Sequence, residues 1–499
     1  MADVLLTHSY HLPYDSKQLQ KMQPYLPLGT LYAASALRDR DISIEMFDPM
    51  LQDPEHGFLT ALQGSKAKIV VLYEDDFNFL TKMCLTRMRE VAFDMARAAK
   101  DAGAVVIAHG SDATDNPELF LHNGFDYVLC GEAENVLADL CTAILAKTEV
   151  PLWDGLVRMD SFGRLCRGVQ RLARNPGWSE LPLPARDLVD FEPYRAAWTD
   201  AHGYFSTNVV ASRGCPFRCN WCAKPISGDH FQLRSASAVA EELLMLKQSG
   251  AQHLWFSDDI FALNHHWMAE FAKEVTDRDA AVPYKIQSRA DLMREDTVEH
   301  LKASGCAEVW MGVESGSQTI LDAMDKGITI EQITIARGRL RAAGIRACFF
   351  LQFGYPGETW AELQQTIELV RKLRPDDVGI SFSYPLPGTV FYERVQSQLG
   401  AKRNWMDSND LSIMFKAAYT TEFYRAVREA LHAEVDSWSK PHTDSDSIDS
   451  MHVLWQIVEE MEPVSHLTDA FRFSSDFSIS SSSTFIPLES LTCTSESRQ

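Results

Sequence analysis

Three cysteines, Cys215, Cys219 and Cys222, stand at C-x3-C-x2-C spacing within Arg213-Gly214-Cys215-Pro216-Phe217-Arg218-Cys219-Asn220-Trp221-Cys222, directly after the strand-like run Asn208–Ser212. An iron–sulfur cube needs four ligands, so a loop offering three thiolates leaves one iron open to an outside ligand, whereas fully ligated clusters mainly carry electrons. The spacing cannot bring three sulfurs to one face of a helix, and Pro216 keeps the segment a loop able to wrap a cluster. The same thiolates with His230 could instead close a tetrahedral zinc site. Against zinc, no second C-x2-C-like half follows. A disulfide framework fits less well: Cys84, Cys130, Cys141, Cys166, Cys306, Cys348 and Cys493 are scattered, and no secretory signal precedes them, as expected of reduced cytosolic thiols.

Two sets of alternating strands and helices must position this loop. Residues 1–146 carry apolar runs at Val4–Thr7, Ile42–Phe47, Ile69–Tyr73, Val105–Ala108 and Tyr127–Cys130, with helical spacing in Leu28–Arg38 and Thr81–Lys100, which predicts a doubly wound Rossmann-like (flavodoxin-like) α/β domain. Ligands of such sheets bind beyond the carboxyl ends of the strands, where Thr7, His8, Asp48, Glu74, Asp75, Gly110, Ser111, Asp112, Gly131 and Glu132 stand. Residues 147–205 form a linker with a small hairpin, Leu156–Met159 and Leu165–Val169, then proline-rich Leu181-Pro182-Leu183-Pro184. Residues 206–395 repeat strand and helix six times, with strands following the cysteine loop at His253–Ser257, Tyr284–Gln287, Glu308–Val313, Ala347–Phe353 and Val378–Ser383. That pattern predicts a partial (β/α)6 barrel with chemistry at the carboxyl strand ends, where Asp258, Asp259, Ser288, Arg289, Glu314, Ser315 and Gln352 lie. Asp258 or Asp259 could equally cap a helix; an acid ending an apolar strand, as Glu314 does, is costly without a partner. Residues 396–472, with Asn404-Trp405 and the striped Thr421–Trp438, read as a helical C-terminal region, and the serine-rich 473–499 as a disordered tail.

The cysteine loop, with aromatic Trp221 before its third cysteine, resembles that of the radical S-adenosylmethionine (SAM) enzymes. The resemblance implies that Cys215, Cys219 and Cys222 hold a [4Fe–4S] cluster whose fourth iron is chelated by SAM, and that one electron cleaves SAM to methionine and a hydrogen-abstracting 5′-deoxyadenosyl radical. The N-terminal half is similar to the cobalamin-binding domains that precede some of these barrels: Pro27-Leu28-Gly29-Thr30-Leu31-Tyr32 matches their "PLG-LYLA" helix and Asp126–Glu132 their "DYVV-GE" element. The usual "GGPHAT" turn is His109-Gly110-Ser111-Asp112-Ala113-Thr114 here, a departure, and the D-x-H-x-x-G motif that supplies a histidine to cobalt is absent. The resemblance therefore implies cobalamin contacts at Thr7, His8, Leu28, Gly29, Ser111, Asp112, Gly131 and Glu132, without histidine on cobalt; His8 and His11 remain candidate cobalt ligands, more often polar groups at a strand end.

In the barrel, Phe256-Ser257-Asp258-Asp259-Ile260-Phe261 resembles the "F-x-D-D-x-F" element of cobalamin-type members, Gln287–Asp291 the next element, and Gly312-Val313-Glu314-Ser315-Gly316 the strand whose glutamate contacts ribose. These imply SAM contacts from Asp258, Asp259, Ser288, Arg289, Glu314 and Gln352; an ammonium wants a carboxylate, a carboxylate an arginine or hydroxyl, and ribose an acceptor pair. Phe353–Thr359 and Tyr384–Thr389 match family turns whose glycines and prolines could be purely structural.

Length and charge narrow the function. A chain of 499 residues with 45% hydrophobic content supports two or three packed domains. The N-terminus lacks a signal peptide and no apolar run spans a bilayer, which points to the cytoplasm. A net charge of -22 disfavours nucleic acid, and with it the tRNA-modifying branch of the superfamily. The principal expectation is a cobalamin-dependent methyltransferase acting on an unactivated carbon of a small molecule, with an external donor such as flavodoxin or ferredoxin. Its rivals are a non-methylating reaction, such as the oxidative ring closure of anaerobic magnesium-protoporphyrin monomethyl ester cyclase, and a non-enzymatic cobalamin carrier or sensor.

Overall fold

The computed structural model describes residues 2–53, 56–77, 85–180, 182–399, 406, 412–438 and 445–467. The serine-rich tail 473–499, Asn404-Trp405, Leu181, and Cys84 and Cys493 lie outside the described residues.

The N-terminal sheet opens with β1 (Val4–Thr7), β2 (Ile44–Met46), β3 (Ile69–Tyr73), β4 (Val105–His109) and β5 (Tyr127–Leu129). All five pair in parallel in the order β2-β1-β3-β4-β5. Every residue of β1 and β3 is buried, as expected of parallel strands covered by helices on both faces. Separate apolar clusters fill the two faces: Val4, Leu6, Val71 and Leu137 on one, Leu5, Val70, Leu72 and Met95 on the other. The order reverses between β1 and β3, the crevice where such sheets hold ligands. The helix predicted from Thr81 is described as Thr86–Asp101.

The connector contributes more than a link. Its hairpin, β6 (Leu156–Met159) and β7 (Leu165–Arg167), continues the first sheet by antiparallel pairing of β6 to β5, so the sheet has seven strands. Arg186 and Asp187 then tie the two halves together: Arg186 donates to the Asn208 carbonyl and the Glu242 carboxylate, both at 2.8 Å, and Asp187 receives both Nη groups of Arg38 at 2.8 Å.

The second sheet is formed by β8 (Ser206–Val209), β11 (His253–Phe256), β12 (Tyr284–Ser288), β13 (Cys306–Glu314), β14 (Arg346–Phe353) and β15 (Val378–Phe382). These six are parallel and neighbour one another in chain order, a partial barrel left open between β8 and β15. A short antiparallel ribbon, β9 (Ser212–Arg213) and β10 (Gln232–Leu233), brackets the cysteine loop. Helix Thr421–Ser437 packs against β15, fixed by the two-pronged Arg371–Glu434 pair at 2.8 and 2.9 Å. Leu28, Tyr32, Phe77, Trp178 and Val210 form a small core shared by the N-terminal domain, the connector and the barrel.

Candidate active site

The loop that carries the three thiols is fastened by several contacts within the protein. Gly214 has φ +79, and a Cβ there would stand 2.0 Å from the His230 carbonyl oxygen, so only glycine fits. Lys224 donates to the carbonyls of Cys215 at 3.0 Å and Phe217 at 2.7 Å and pairs with Asp229. Asn220, between the second and third cysteines, has every polar group satisfied. Its N–H donates to Met324, its carbonyl accepts from Phe391, its Nδ2 donates to Ala323 and Asp325, and its Oδ1 accepts from Tyr355 at 2.7 Å. The "YPG" and "LPG" turns thus anchor the loop, one through Tyr355 and the other through the helix beginning near Phe391. All three cysteines are half-buried, and burial pushes the Cys215 thiol up against the opposing N–H of Phe217. His230 is exposed, and among the described residues no three His, Cys, Asp or Glu side chains gather as a single metal ion requires. The loop chemistry fits the cube, whose thiolates bind separate irons, rather than a closed zinc site.

Two of the six barrel candidates are brought to the loop. Arg289 lies with its guanidinium carbon 3.8 Å from the centre of the Phe217 ring, and its Nη1 is 3.9 Å from Cys219 Sγ; Asp291 holds it from behind at 2.9 and 3.2 Å. Glu314 ends β13 just after a bulge that skips Val313, so Gly312 pairs with Phe350 and Glu314 with Leu351. Its φ is +62, an unfavourable conformation for a residue with a side chain, of the kind that clusters at functional sites. The bulge and turn deliver the Glu314 carboxylate to Lys326 Nζ at 2.7 Å, and a Cβ on Gly312 would lie 2.6 Å from both groups. Lys326 in turn sits 5.9 Å from the centre of the Trp221 ring. Burial works against its charge, but the Glu314 carboxylate and the Cys219 thiol hold its ammonium above the usual lysine range.

The other four are placed differently. Asp258 is buried beneath the root of the loop, accepting from Ala211 N at 3.1 Å and from Ser212 N and Oγ at 2.5 Å, and burial pushes its carboxyl up to about 7 against those bonds. Asp259 is exposed and lines a narrow cleft of about 10 Å³, room for about one water, with Ser212, Arg213, Lys224 and, from the N-terminal domain, Asp76 and Phe77. Ser288 Oγ donates to the Phe261 carbonyl at 2.8 Å. Gln352 is buried with Oε1 unpaired. In the turn after β14, Glu358 accepts the Gly354 N–H at 2.6 Å, leaves Oε1 buried and unpaired, and is pushed up to about 8 by burial.

In the N-terminal domain the candidate residues are mostly engaged within the protein. Thr7 Oγ1 donates to the His8 carbonyl. His8 uses both ring nitrogens: Nδ1 accepts the Tyr10 N–H at 3.2 Å and Nε2 meets Asp48 at 3.0 Å, while Tyr194 of the connector donates to the other oxygen of Asp48 at 2.7 Å. His11 Nδ1 meets the Ser9 carbonyl, and burial lowers its pKa to about 4. Leu28 is packed in the shared core, and the Gly29 N–H donates to Asp75 at 3.0 Å. A Cβ on Gly29 would fall 2.5 Å from Asp76 Oδ1. Asp112 is clasped by Arg89 at 2.7 and 2.5 Å. Gly131, φ +90, lies against the Ala173 backbone. Glu132 Oε2 accepts from Asn175 N and Gln232 Nε2, both at 3.1 Å. Among these candidate residues, two groups are buried without a partner and suit the amide-rich periphery of a corrin: Ser111 Oγ and Glu132 Oε1.

Lys326, Asn220 and Arg213 escape the sequence reading. Lys326 follows a short helix, Gln318–Ala323, at a turn with no motif; only its spacing of 12 residues from Glu314 offers a signal.

Residues 209–370 match the model of the Radical SAM superfamily. An uncharacterized methyltransferase of Pyrococcus horikoshii is 28% identical over 402 residues, 79% of this chain and 84% of that protein. Two solved structures share the fold. The cobalamin-dependent SAM radical enzyme OxsB, solved with aqua-cobalamin and SAM, has a TM-score of 0.69 at 17% identity over 92% of this chain and 72% of its own. The radical SAM methyltransferase TsrM from Kitasatospora setae, solved with cobalamin and a [4Fe-4S] cluster, has a TM-score of 0.64 at 18% identity over 81% and 76%. The chain is an enzyme built on a radical SAM domain.

Proposed function

We propose that this enzyme is a cobalamin-dependent radical SAM methyltransferase acting on a small molecule. The carrying observation is the cleft shared by the two domains: Asp76 and Phe77, just beyond β3 of the N-terminal sheet, face Arg213, Lys224 and Asp259 at the cysteine loop. The loop that would hold one cofactor is thus packed directly against the carboxyl end of the sheet that would hold the other.

Bound by Cys215, Cys219 and Cys222, a [4Fe–4S] cluster supplies the electron and open iron for SAM cleavage; bound over β1 and β3–β5, cobalamin supplies a methyl group. The cofactors carry that chemistry, and the protein supplies position and dryness. Asp259, exposed on the cleft where Asp258 is buried beneath the loop, is the carboxylate for the methionyl ammonium. Arg289, already beside Cys219, is the cation for its carboxylate. Glu314 accepts from ribose once SAM competes with Lys326, and Ser288 and Gln352 border the same strand ends. Both ring nitrogens of His8 are engaged by Asp48 and the Tyr10 N–H, so His8 would not be offered to a bound cobalamin as a metal ligand. A flavodoxin or ferredoxin of the cytoplasm is the electron source, and the acidic chain acts without nucleic acid.

Anaerobic reconstitution with iron, sulfide and cobalamin, followed by reduction with SAM and a metabolite extract, tests this. The expected products are 5′-deoxyadenosine, S-adenosylhomocysteine and a new methylated compound. Deoxyadenosine with an oxidised but unmethylated product would replace methyl transfer with the cyclase-type reading, and cobalamin binding without SAM cleavage would leave only a carrier.

A further inference from the structure

Arg213 stands directly before Gly214 and Cys215, yet its partners come from the other domain. It is only 3% exposed. Its Nη2 lies 2.5 Å from Glu134 Oε1 and 3.5 Å from Asp76 Oδ2, both in the N-terminal domain. Its guanidinium carbon is 4.7 Å from the centre of the Phe77 ring and 5.0 Å from that of Trp178. One nitrogen, Nη2, meets both acids while Nε and Nη1 are buried without a hydrogen-bond partner, and the two aromatic faces bound the guanidinium plane on its other sides. Burial works against its charge, and Glu134 and Asp76 overcome that, holding the guanidinium above its ordinary range.

The opposite flank of the loop is gripped from the same element. Glu132, two residues before Glu134, takes Gln232 Nε2 at 3.1 Å, and Gln232 pairs with Arg213 across the β9–β10 ribbon. Asn175 stitches the two acids together, its N–H on Glu132 and its Nδ2 on Glu134 at 3.1 and 3.2 Å. One short run of the N-terminal domain, Gly131-Glu132-Ala133-Glu134, therefore holds both strands from which the loop 214–231 hangs.

We propose that Glu132 and Glu134, acting on Gln232 and Arg213, are positioning residues that fix the cluster loop against the N-terminal domain and so set the separation and orientation of the two cofactors. Nothing else in the barrel needs an ion pair at this place: the loop has its own internal anchors in Lys224 and Asn220, and Asp258 secures its root. This clamp is directed at the other domain. The inference rests on the proposed cobalamin-dependent function for its purpose, though not for its contacts.

The test uses the reconstituted holoenzyme with the cluster reduced by one electron and cobalamin as cob(II)alamin. Relaxation of the cobalt signal is enhanced by the nearby cluster, and the enhancement falls steeply with separation. The wild type should give a single relaxation rate. In Arg213→Met and Glu134→Gln, iron and cobalamin contents stay at wild-type levels while the single rate is lost to a spread of rates, and Arg213→Lys restores it in part. A single unchanged rate in both variants would overturn the clamp. Glu134→Gln preserves shape and decides the matter if Arg213→Met does not fold. If the wild type binds no cobalamin, the functional reading fails separately, and hydrogen exchange of residues 214–231 in the unloaded protein then judges the clamp. Roughly tenfold faster exchange in Glu134→Gln supports it, and unchanged exchange overturns it.

Discussion

The carboxyl ends of the two sheets, both places where a ligand is expected, use their polar residues in opposite ways. At the barrel end, charged groups are gathered towards the cysteine loop at some cost: Glu314 adopts φ +62 after a bulge and is paired with Lys326, and Lys326 and Arg289 are buried beside Trp221 and Cys219. At the N-terminal end, Asp75, Asp112, His8 and Glu132 are occupied by a helix N-terminus, Arg89, Asp48 and the barrel's own ribbon. One sheet end turns its charged groups towards the cysteine loop, and the other engages them in contacts within the protein, the barrel's ribbon among them. Position at a strand end marks a candidate; the neighbours decide its task.

That contrast can be broken from either side. The largest effect belongs to the barrel: Cys215→Ala, Cys219→Ala or Cys222→Ala should each abolish deoxyadenosine formation and lower the iron content from about four per chain. Cys306→Ala, buried on β13 away from the loop, should do neither. Cluster retention in any of the three variants would count against the assignment. Next, if Glu314 accepts from ribose as proposed, Glu314→Gln removes a charged hydrogen bond worth about 1.5–3 kcal/mol, so SAM affinity by calorimetry should fall by about ten- to a hundredfold with iron intact. Loss of iron, or unchanged affinity, would make Glu314 structural. On the other side, Gly29→Ala forces a Cβ to 2.9 Å from the Asp76 backbone nitrogen. It should lower stability by about 1–3 kcal/mol in denaturant while SAM cleavage by the surviving folded enzyme is unchanged.

Glu358 sharpens the comparison through pH. Its carboxyl is pushed from 4.5 up to about 8 in the folded chain, so between those values the folded state holds a proton that the unfolded state has released, and stability declines as pH rises through that window. Glu358→Gln should flatten the wild-type decline between pH 5 and 8 by up to about 1.4 kcal/mol per pH unit; parallel profiles would show that the group is ionised throughout. The smallest expected effect is in His8→Ala. The cob(II)alamin spectrum should keep its cobalt lines unsplit by nitrogen in both proteins, and triplet splitting that vanishes in the variant would place His8 on the metal.

Much of this arrangement was legible in the sequence where the determinants are local. Val4–Thr7, Ile69–Tyr73 and Leu28–Arg38 begin and end where apolar runs and helical spacing put them, and the six barrel strands follow from repetition. The partner of the 156–167 hairpin was not legible, because antiparallel addition to an existing sheet edge leaves no mark in either strand. The same holds for Arg213, whose acids lie 79 and 137 residues away, and for the strained φ of Glu314, which follows from a bulge that no residue type announces. Asp258 and Asp259 look alike in sequence; only burial separates the one beneath the loop from the one on the cleft.

Asn220 carries a consequence for how the enzyme matures. In small zinc domains the metal's binding energy is the folding energy, so chain and metal must come together at once. Here a single asparagine, fastened to Met324, Ala323, Asp325, Tyr355 and Phe391, ties the thiol-bearing segment to barrel units made more than a hundred residues later in translation. The segment can be fastened in full only after β14 and the helix from Val390 have been made, so the order of synthesis puts this closure of the thiol-bearing loop late, behind most of the barrel.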